Sequence, residues 1–235
     1  MQTIGLIGGM SWESTAVYYR QINEAVRQRH GGLASAEILL RSVDFSRIVA
    51  LQQAGRWDQA ADELAQIGRQ LAGAGAACLL ICTNTMHKVA DVVAEKAGVP
   101  LIHIVDVVGR ALTAAGAKRP LLLATRYTME QDFYRARLAG LFGIDALVPE
   151  ATDRGLVHDV IFDELCCGVV RPDSRAAYLD VITRGKAAGA DAVILGCTEI
   201  GLLIGPEHVD LPVFDSTLLH AEAAVDFADG LLLAA

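Results

Sequence analysis

The chain has 235 residues, of which 53% are apolar and 20% are charged, and its formal net charge is −8. This composition is typical of a folded globular protein and excludes a disordered chain. The acidic balance argues against a general nucleic-acid binder, which carries an excess of lysine and arginine.

The longest nearly apolar run, residues 71–82, is shorter than the roughly 18–20 residues that cross a membrane. The first three residues lead into a strand-like segment without a basic stretch, so no signal peptide is expected. The five cysteines lack the spacing of a zinc site and favour reduced thiols over a disulfide framework. We therefore expect a cytoplasmic protein with no metal site.

Apolar segments of strand length alternate with helical segments along the whole chain. The predicted strands are residues 3–7, 37–43, 77–82, 100–105, 120–124, 144–148, 192–195 and 212–214. Helical spacing recurs at Ala61, Leu64, Ile67 and Leu71, and again at Tyr178, Val181 and Ile182. Gly98 is typical of a helix end, and Asp173-Ser174 of a helix start. This alternation predicts an α/β protein with parallel sheets and helices on both faces.

A weak internal repeat suggests that the chain has two similar halves. An offset of 115 residues places Tyr18-Tyr19-Arg20 on Phe133-Tyr134-Arg135, and Cys82-Thr83 on Cys197-Thr198. We interpret the halves as a pseudo-twofold pair of domains with a cleft between them, comprising residues 1–100 plus 211–235 and residues 101–210. The alternative is one continuous doubly wound sheet in which the similarity is accidental.

Polar clusters follow several predicted strands, where parallel sheets bind ligands. They are Gly8 to Ser11, Thr83 to Thr85, Thr125 to Thr128, and Cys197 to Glu199. The glycine cluster lacks the spacing of a dinucleotide fingerprint, and only Asp44, after the next predicted strand, keeps that interpretation open. It fits a tight turn, or a nest of backbone amides that binds a small carboxylate, and we favour the nest.

Cys197 is the best candidate for a reactive thiol, because it ends a strand beside polar residues. Cys78 lies inside an apolar run and is predicted to be core, and Cys166-Cys167 are predicted to serve packing. His87 follows the second polar cluster and could orient a group there.

The segments Gly8 to Ser11, Thr83 to His87 and Gly196 to Glu199 resemble the signature segments of the aspartate/glutamate racemase family. The likeness runs in order along essentially the whole chain. It implies two pseudo-symmetric, Rossmann-like (flavodoxin-like) α/β domains, an active site in the cleft between them, and no cofactor. Hydantoin racemase, maleate isomerase and arylmalonate decarboxylase are related enzymes on the same plan.

Racemisation removes the α-proton from one face of a carbon and returns a proton to the other, so it needs two acid/base groups. The family supplies one cysteine from each domain. Here the second is Cys197, but the residue before Asn84 is Thr83, where the family has its first cysteine. The resemblance therefore implies the pair Thr83 and Cys197, and the register of the motif makes Cys82 a buried strand residue. A threonine hydroxyl is a poor base, although it can donate a proton.

A dicarboxylate substrate needs local positive charge on an acidic protein. Arg47, with Gln52 nearby, is the best candidate for the distal carboxylate, and Arg126 is a second. Further expected substrate contacts are Met10, Asn84, Thr85, Thr125, Thr128, Thr198 and Glu199.

The function expected from these residues is racemisation of aspartate or glutamate by a homodimeric enzyme, with the breadth of specificity open. One rival is a one-thiol decarboxylase or cis-trans isomerase of small dicarboxylates. Another is a small-molecule binding protein without catalysis.

Overall fold

The computed structural model describes residues 1–231 and divides into two compact units. Unit 1 contains residues 1–103 and the C-terminal residues from His220 onward, and unit 2 contains Ile104–Leu219. Residues 101–103 belong to unit 1 and not, as expected, to the second domain. The larger difference from the expected division is at residues 211–219, which belong to unit 2. The reason is strand pairing, because Val213–Asp215 pairs with Ala192–Leu195.

Unit 1 is built on a parallel three-stranded sheet in the order β2-β1-β3. Its strands are β1 (Ile4–Gly8), β2 (Ile38–Ser42) and β3 (Cys78–Ile81). Its helices are α1 (Trp12–His30), α2 (Phe45–Gln53), α3 (Trp57–Gly73), a 3-10 turn (Thr85–Val89) and α4 (Ala90–Ala97). Every residue of β1 and β3 is buried. This burial explains their continuous apolar sequences.

Unit 2 has its own parallel three-stranded sheet in the order β4-β5-β6. Its strands are β4 (Pro120–Leu123), β5 (Ala192–Leu195) and β6 (Val213–Asp215). Its helices are α5 (Ile104–Ala114), α6 (Arg126–Glu130), α7 (Asp132–Phe142), α8 (Ala151–Asp163) and α9 (Pro172–Ala187). The last helix, α10 (Ser216–Ala228), begins in unit 2 and continues into unit 1. The predicted α/β class with two parallel sheets is confirmed, and the single continuous sheet is wrong.

Two of the predicted strands are reduced to single bridges. Leu101 bridges to Leu79, and Leu147 bridges to Leu121, both in parallel. Helix α5 begins at Ile104 and cuts the first segment short, while Pro149, which has no N–H to donate to a ladder, follows the second. With the bridges included, both sheets read 2-1-3-4, an order found in flavodoxin-like folds.

The helix boundaries show how local sequence terminates elements. Gly98 adopts a left-handed conformation (φ 73°), and its N–H donates to the Ala94 carbonyl, so the predicted helix end is confirmed. Helix α9 begins at Pro172, one residue before the predicted start, as suits a proline in the first turn. No helix within residues 1–231 is long and apolar enough to span a membrane.

Candidate active site

The turn after β1 is shaped by close packing. Gly9 has a φ of 88°, and a Cβ there would collide with the Val43 carbonyl, so only glycine fits. The Gly9 N–H donates to the Thr15 hydroxyl at 2.8 Å. This amide is satisfied within the turn, so it is not itself a donor for the predicted carboxylate nest. Met10, the expected substrate contact, is buried after the turn.

Thr83 lies two residues beyond the end of β3, and its carbonyl is held by His87. The His87 Nδ1 lies 2.8 Å from that oxygen and donates to it. Thr83 is half-buried, while Asn84 and Thr85 are buried at the start of the 3-10 turn. The predicted orienting role of His87 thus has a geometric basis, namely a contact with the backbone of Thr83.

Behind Thr83, unit 1 buries a group of aromatic and imidazole rings. The His87 ring centre is 4.8 Å from that of His103 and 5.5 Å from that of His220. His220 Nε2 donates to the Ile102 carbonyl at 2.7 Å, so its Nδ1 accepts from the Tyr18 hydroxyl at 2.8 Å. Burial, with the His87 charge second, lowers the pKa of His220 to about 3. The ring is therefore neutral.

Thr83 and Cys197 occupy equivalent positions in the two sheets, as the strand registers show. The Cys82 N–H donates to the Ile7 carbonyl at the end of β1, and the Gly196 N–H donates to the Leu123 carbonyl at the end of β4. Since Ile7 pairs with Ile81 and Leu123 pairs with Leu195, Thr83 and Cys197 each lie two residues past the last paired residue. The sheets therefore support the motif register, and not the 115-residue offset that places Cys82 on Cys197.

Cys82 and Gly196 occupy equivalent positions in the two sheets. The first position accommodates a side chain and the second does not. The Cys82 side chain is fully buried, and burial raises the pKa of its thiol. A Cβ at Gly196 would lie 2.6 Å from Leu122 Cδ1, so this position excludes a side chain. Gly196 has no ionisable side chain, and the Cys82 thiol is enclosed by the protein.

Cys197, Thr198 and Glu199 form a hydrogen-bonded group after β5. The Cys197 thiol donates to Glu199 Oε2 at 3.0 Å, and the Thr198 hydroxyl donates to the same oxygen at 2.7 Å. Glu199 is only 2% exposed and Cys197 only 7%. A nearly enclosed carboxylate thus lies within reach of the thiol proton.

The pKa of the Cys197 thiol is raised well above its ordinary value, first by burial and then by the charge of Glu199 and by Cys166. Reactive thiols commonly have a lowered pKa, and the structure gives Cys197 the opposite direction. Burial penalises the thiolate, so Cys197 rests as a neutral thiol.

The other predicted substrate residues are only partly brought together. The hydroxyls of Thr125 and Thr128 are 3.3 Å apart at the end of β4. The Arg47 side chain is 70% exposed and pairs with Glu63 at 3.1 Å. Gln52 is buried and donates to the Met86 sulfur at 3.1 Å. The side chains of Arg47 and Gln52 therefore have separate partners. At Arg126, the backbone N–H donates to His158 Nδ1.

Sequence reasoning missed three residues at this end of the second sheet. The Cys166 thiol lies 3.6 Å from Glu199 Oε1. Asp215 ends β6 and accepts from the N–H groups of Thr217 and Leu218, and Ser216 donates to the Leu195 carbonyl. Ligands bind beyond the carboxyl ends of parallel strands. A search for polar residues just after the last predicted strand, 212–214, would therefore have found Asp215 and Ser216. No local signal pointed to Cys166.

Comparisons with known proteins extend over nearly the whole chain. A family model described as Asp/Glu/Hydantoin racemase matches residues 7–224. A candidate Asp/Glu racemase from Yersinia pestis is 49% identical, with a TM-score of 0.90 over 97% of this chain and 99% of that one. An aspartate racemase homologue from Pyrococcus horikoshii OT3 is 30% identical, with a TM-score of 0.86 over 97% and 100% of the two chains. Unliganded arylmalonate decarboxylase is 16% identical, with a TM-score of 0.54 over 100% and 96% of the two chains, and shares the fold alone.

Proposed function

Because the chain belongs to the Asp/Glu/hydantoin racemase family, we propose that it is a cofactor-independent racemase of aspartate or glutamate. The observation that carries the proposal is the Cys197 thiol, hydrogen-bonded to buried Glu199 just past the end of β5. A group in this setting can pass its proton to the carboxylate and then act as a base.

In the first step, the Cys197 proton moves to Glu199 Oε2, and the resulting thiolate removes the α-proton of the L-amino acid. The raised pKa of Cys197 fits this order, because a thiolate disfavoured in the empty site is a strong base once it forms. Glu199 thus serves the thiol in this mechanism, whereas the sequence suggested that it contacts substrate.

In the second step, the half-buried Thr83 hydroxyl donates a proton to the opposite face of the carbanion and regains one from solvent water, while Glu199 releases to solvent the proton that it took from Cys197. Hydrogen bonds from Asn84, Thr85, Thr125 and Thr128 to the substrate carboxylates would stabilise the negative charge that develops. The contact between His87 and the Thr83 carbonyl supports a fixed hydroxyl position. In the reverse direction Thr83 must act as a base, which its hydroxyl does poorly.

Recognition of the distal carboxylate is assigned to Arg47, aided by Gln52. Arg47 already binds a carboxylate, that of Glu63 on α3. The Glu63 pair is exposed, and exposed ion pairs contribute only about 0–1 kcal/mol, so exchanging it for a substrate carboxylate costs little.

We further propose a homodimer in a reducing compartment, the cytoplasm. Trp12 and Tyr19, seven residues apart on one face of α1, are 68% and 55% exposed, and large exposed apolar side chains favour burial by a partner. All five cysteines are free thiols. Light scattering should give twice the 25.0 kDa chain mass, and the chain mass alone would contradict the dimer.

The decisive experiment is α-proton exchange in D2O, followed by NMR over a panel of L- and D-amino acids. Exchange with L-aspartate or L-glutamate is expected, and it would be detected even where inversion is slow. Turnover of a dicarboxylate without an α-amino group would instead favour the decarboxylase or isomerase. Binding without exchange would favour a binding protein.

A further inference from the structure

Helix α10 carries an imidazole that is anchored at both of its nitrogen atoms. His220 is fully buried, donates from Nε2 to the Ile102 carbonyl at 2.7 Å, and accepts at Nδ1 from the Tyr18 hydroxyl at 2.8 Å. The Tyr18 and His220 rings also meet edge to face, with their centres 5.6 Å apart. A buried ring that is hydrogen-bonded at both ends keeps one orientation. The proton transfers at Cys197 and Thr83 use neither His220 nor Tyr18.

His220 supports His87 both directly and through the backbone. The direct contact is ring packing, because the two ring centres are 5.5 Å apart and the ring planes cross at 67°. The backbone contact arises because the carbonyl that accepts from His220 belongs to Ile102, and the next residue is His103. The His103 ring centre lies 4.8 Å from that of His87. A change at His220 therefore removes one support of the His87 ring and loosens another.

His87 in turn holds the backbone at Thr83. Its Nδ1 donates to the Thr83 carbonyl at 2.8 Å, and the residue is only 3% exposed. Threonine is branched at Cβ, so its χ1 angle has few favoured values and its hydroxyl follows the position of the backbone. A shift of the His87 ring would therefore displace the Thr83 hydroxyl. These contacts all lie within unit 1 and lead from α10 to the residue after β3 that donates the proton.

We propose that His220 is a positioning residue for the Thr83 step, holding His87 and thereby the Thr83 hydroxyl where it protonates the carbanion. The inference rests on the proposed function for the role of Thr83. His220 itself transfers no proton, because burial and the His87 charge lower its pKa to about 3 and the ring stays neutral. Loss of His220 should therefore impair protonation by Thr83 and spare proton removal by Cys197, which lies in unit 2.

The test measures the two steps separately with L-aspartate or L-glutamate in D2O. Loss of the α-proton, followed by NMR, reports removal by Cys197, and formation of the D-enantiomer, followed by chiral chromatography, reports protonation by Thr83. A carbanion that Thr83 does not protonate returns to the L-form from the Cys197 side, with deuterium once the thiol has exchanged with solvent. In His220→Asn the shorter amide cannot bridge Ile102 and Tyr18. The ratio of inversion to α-proton loss should fall by roughly 10-fold, within the 10²-fold that a displacement of about 1 Å can cost.

Val225→Ala is the matched control, because Val225 is also fully buried on α10 but lies five residues beyond His220. Its ratio should equal that of the wild type. Tyr18→Phe removes the hydroxyl that anchors Nδ1 and should lower the ratio by a smaller factor than His220→Asn, so it serves as the test if His220→Asn does not fold. An unchanged ratio in either folded variant, or an equal fall in Val225→Ala, would overturn the proposal.

A measurement without substrate keeps this inference separate from the proposed function. The carbon-13 resonance of the Thr83 carbonyl reports its hydrogen bond from His87. It should move in His220→Asn and stay in place in Val225→Ala. An unmoved resonance in His220→Asn would overturn the role of His220, whereas a wild type that exchanges no α-proton would overturn the proposed function.

Discussion

The ends of β3 and β5 share one backbone plan and differ in the groups that surround it. Past β3, the Thr83 carbonyl is held by His87, backed by neutral His220 and Tyr18. Past β5, Cys197 is hydrogen-bonded to a buried carboxylate that Cys166 also contacts. In unit 1 the hydroxyl of Thr83 thus follows a strand end whose backbone carbonyl is hydrogen-bonded to an imidazole, whereas in unit 2 the thiol itself is hydrogen-bonded to a carboxylate.

This difference shows how a duplicated scaffold can keep its geometry while its chemistry diverges. Because the strand registers match, Thr83 and Cys197 each lie two residues after the last paired residue of their strand. Their neighbours decide what each can do, since a proton acceptor is hydrogen-bonded to Cys197 and a proton donor to the Thr83 carbonyl.

Removing the thiol of unit 2 should have the largest effect. Cys197→Ser keeps the shape but lacks an acidic S–H, so α-proton exchange should fall by at least 10²-fold, the scale of a lost general base. NMR in D2O measures the rate, and circular dichroism checks the fold. Cys167→Ser, at an exposed thiol, is the control. Most of the wild-type exchange surviving in Cys197→Ser would contradict the assignment.

The buried imidazole of unit 1 should make stability depend on pH. The pKa of His220 is about 3 in the fold and near 6.5 when unfolded, so the unfolded chain binds the extra proton. Stability should fall by up to about 1.4 kcal/mol per pH unit as the pH drops from about 6.5 toward 3. Urea unfolding of His220→Asn should show a deficit that shrinks with acidification.

Tyr18→Phe is the control for that experiment. It removes the hydroxyl that His220 accepts from but retains the imidazole. Stability should drop by about 1 kcal/mol at every pH, with the wild-type slope retained. A His220→Asn deficit that is constant with pH would show that His220 is not the group responsible.

Placing a thiol at both strand ends should raise the rate of exchange for the D-amino acid, which is the slower substrate in the wild type. Because a hydroxyl is a poor base, the wild type should exchange L-aspartate or L-glutamate much faster than the D-form, while the equilibrium between enantiomers stays at unity. Thr83→Cys supplies a second thiol and should raise the D-substrate rate by roughly 10–100-fold. Equal wild-type rates for L and D, or no gain in the variant, would mean that another group is the second base.

The smallest expected effect on α-proton exchange is at Cys82, beside Thr83. Cys82→Ala deletes a fully buried sulfur and should cost about 1–2 kcal/mol of unfolding free energy, with exchange largely kept. Urea denaturation and the exchange assay measure the two quantities. A folded variant without activity would reverse the choice between Cys82 and Thr83.

Much of the fold followed from local patterns. Buried apolar runs predicted β1, β3, β4 and β5, and Gly98 predicted the end of α4, because strand burial and left-handed helix ends leave marks in a few adjacent residues. Residues 100–105 and 144–148 were predicted as strands but form single bridges, since a helix start and a proline limit their pairing. Apolar composition alone does not reveal how far a strand is paired.

The sequence by itself determined the α/β class, the two sheets and the motifs around Thr83 and Cys197, because these depend on short-range periodicity and spacing. Only the tertiary structure decided that β6 pairs in unit 2, and that Glu199 lies between the thiols of Cys197 and Cys166. Cys166 and Glu199 are 33 residues apart in sequence. Their contact depends on how the 3-10 turn Leu165–Cys167 packs against the segment that follows β5, and the burial that raises the pKa of Cys197 has the same tertiary origin.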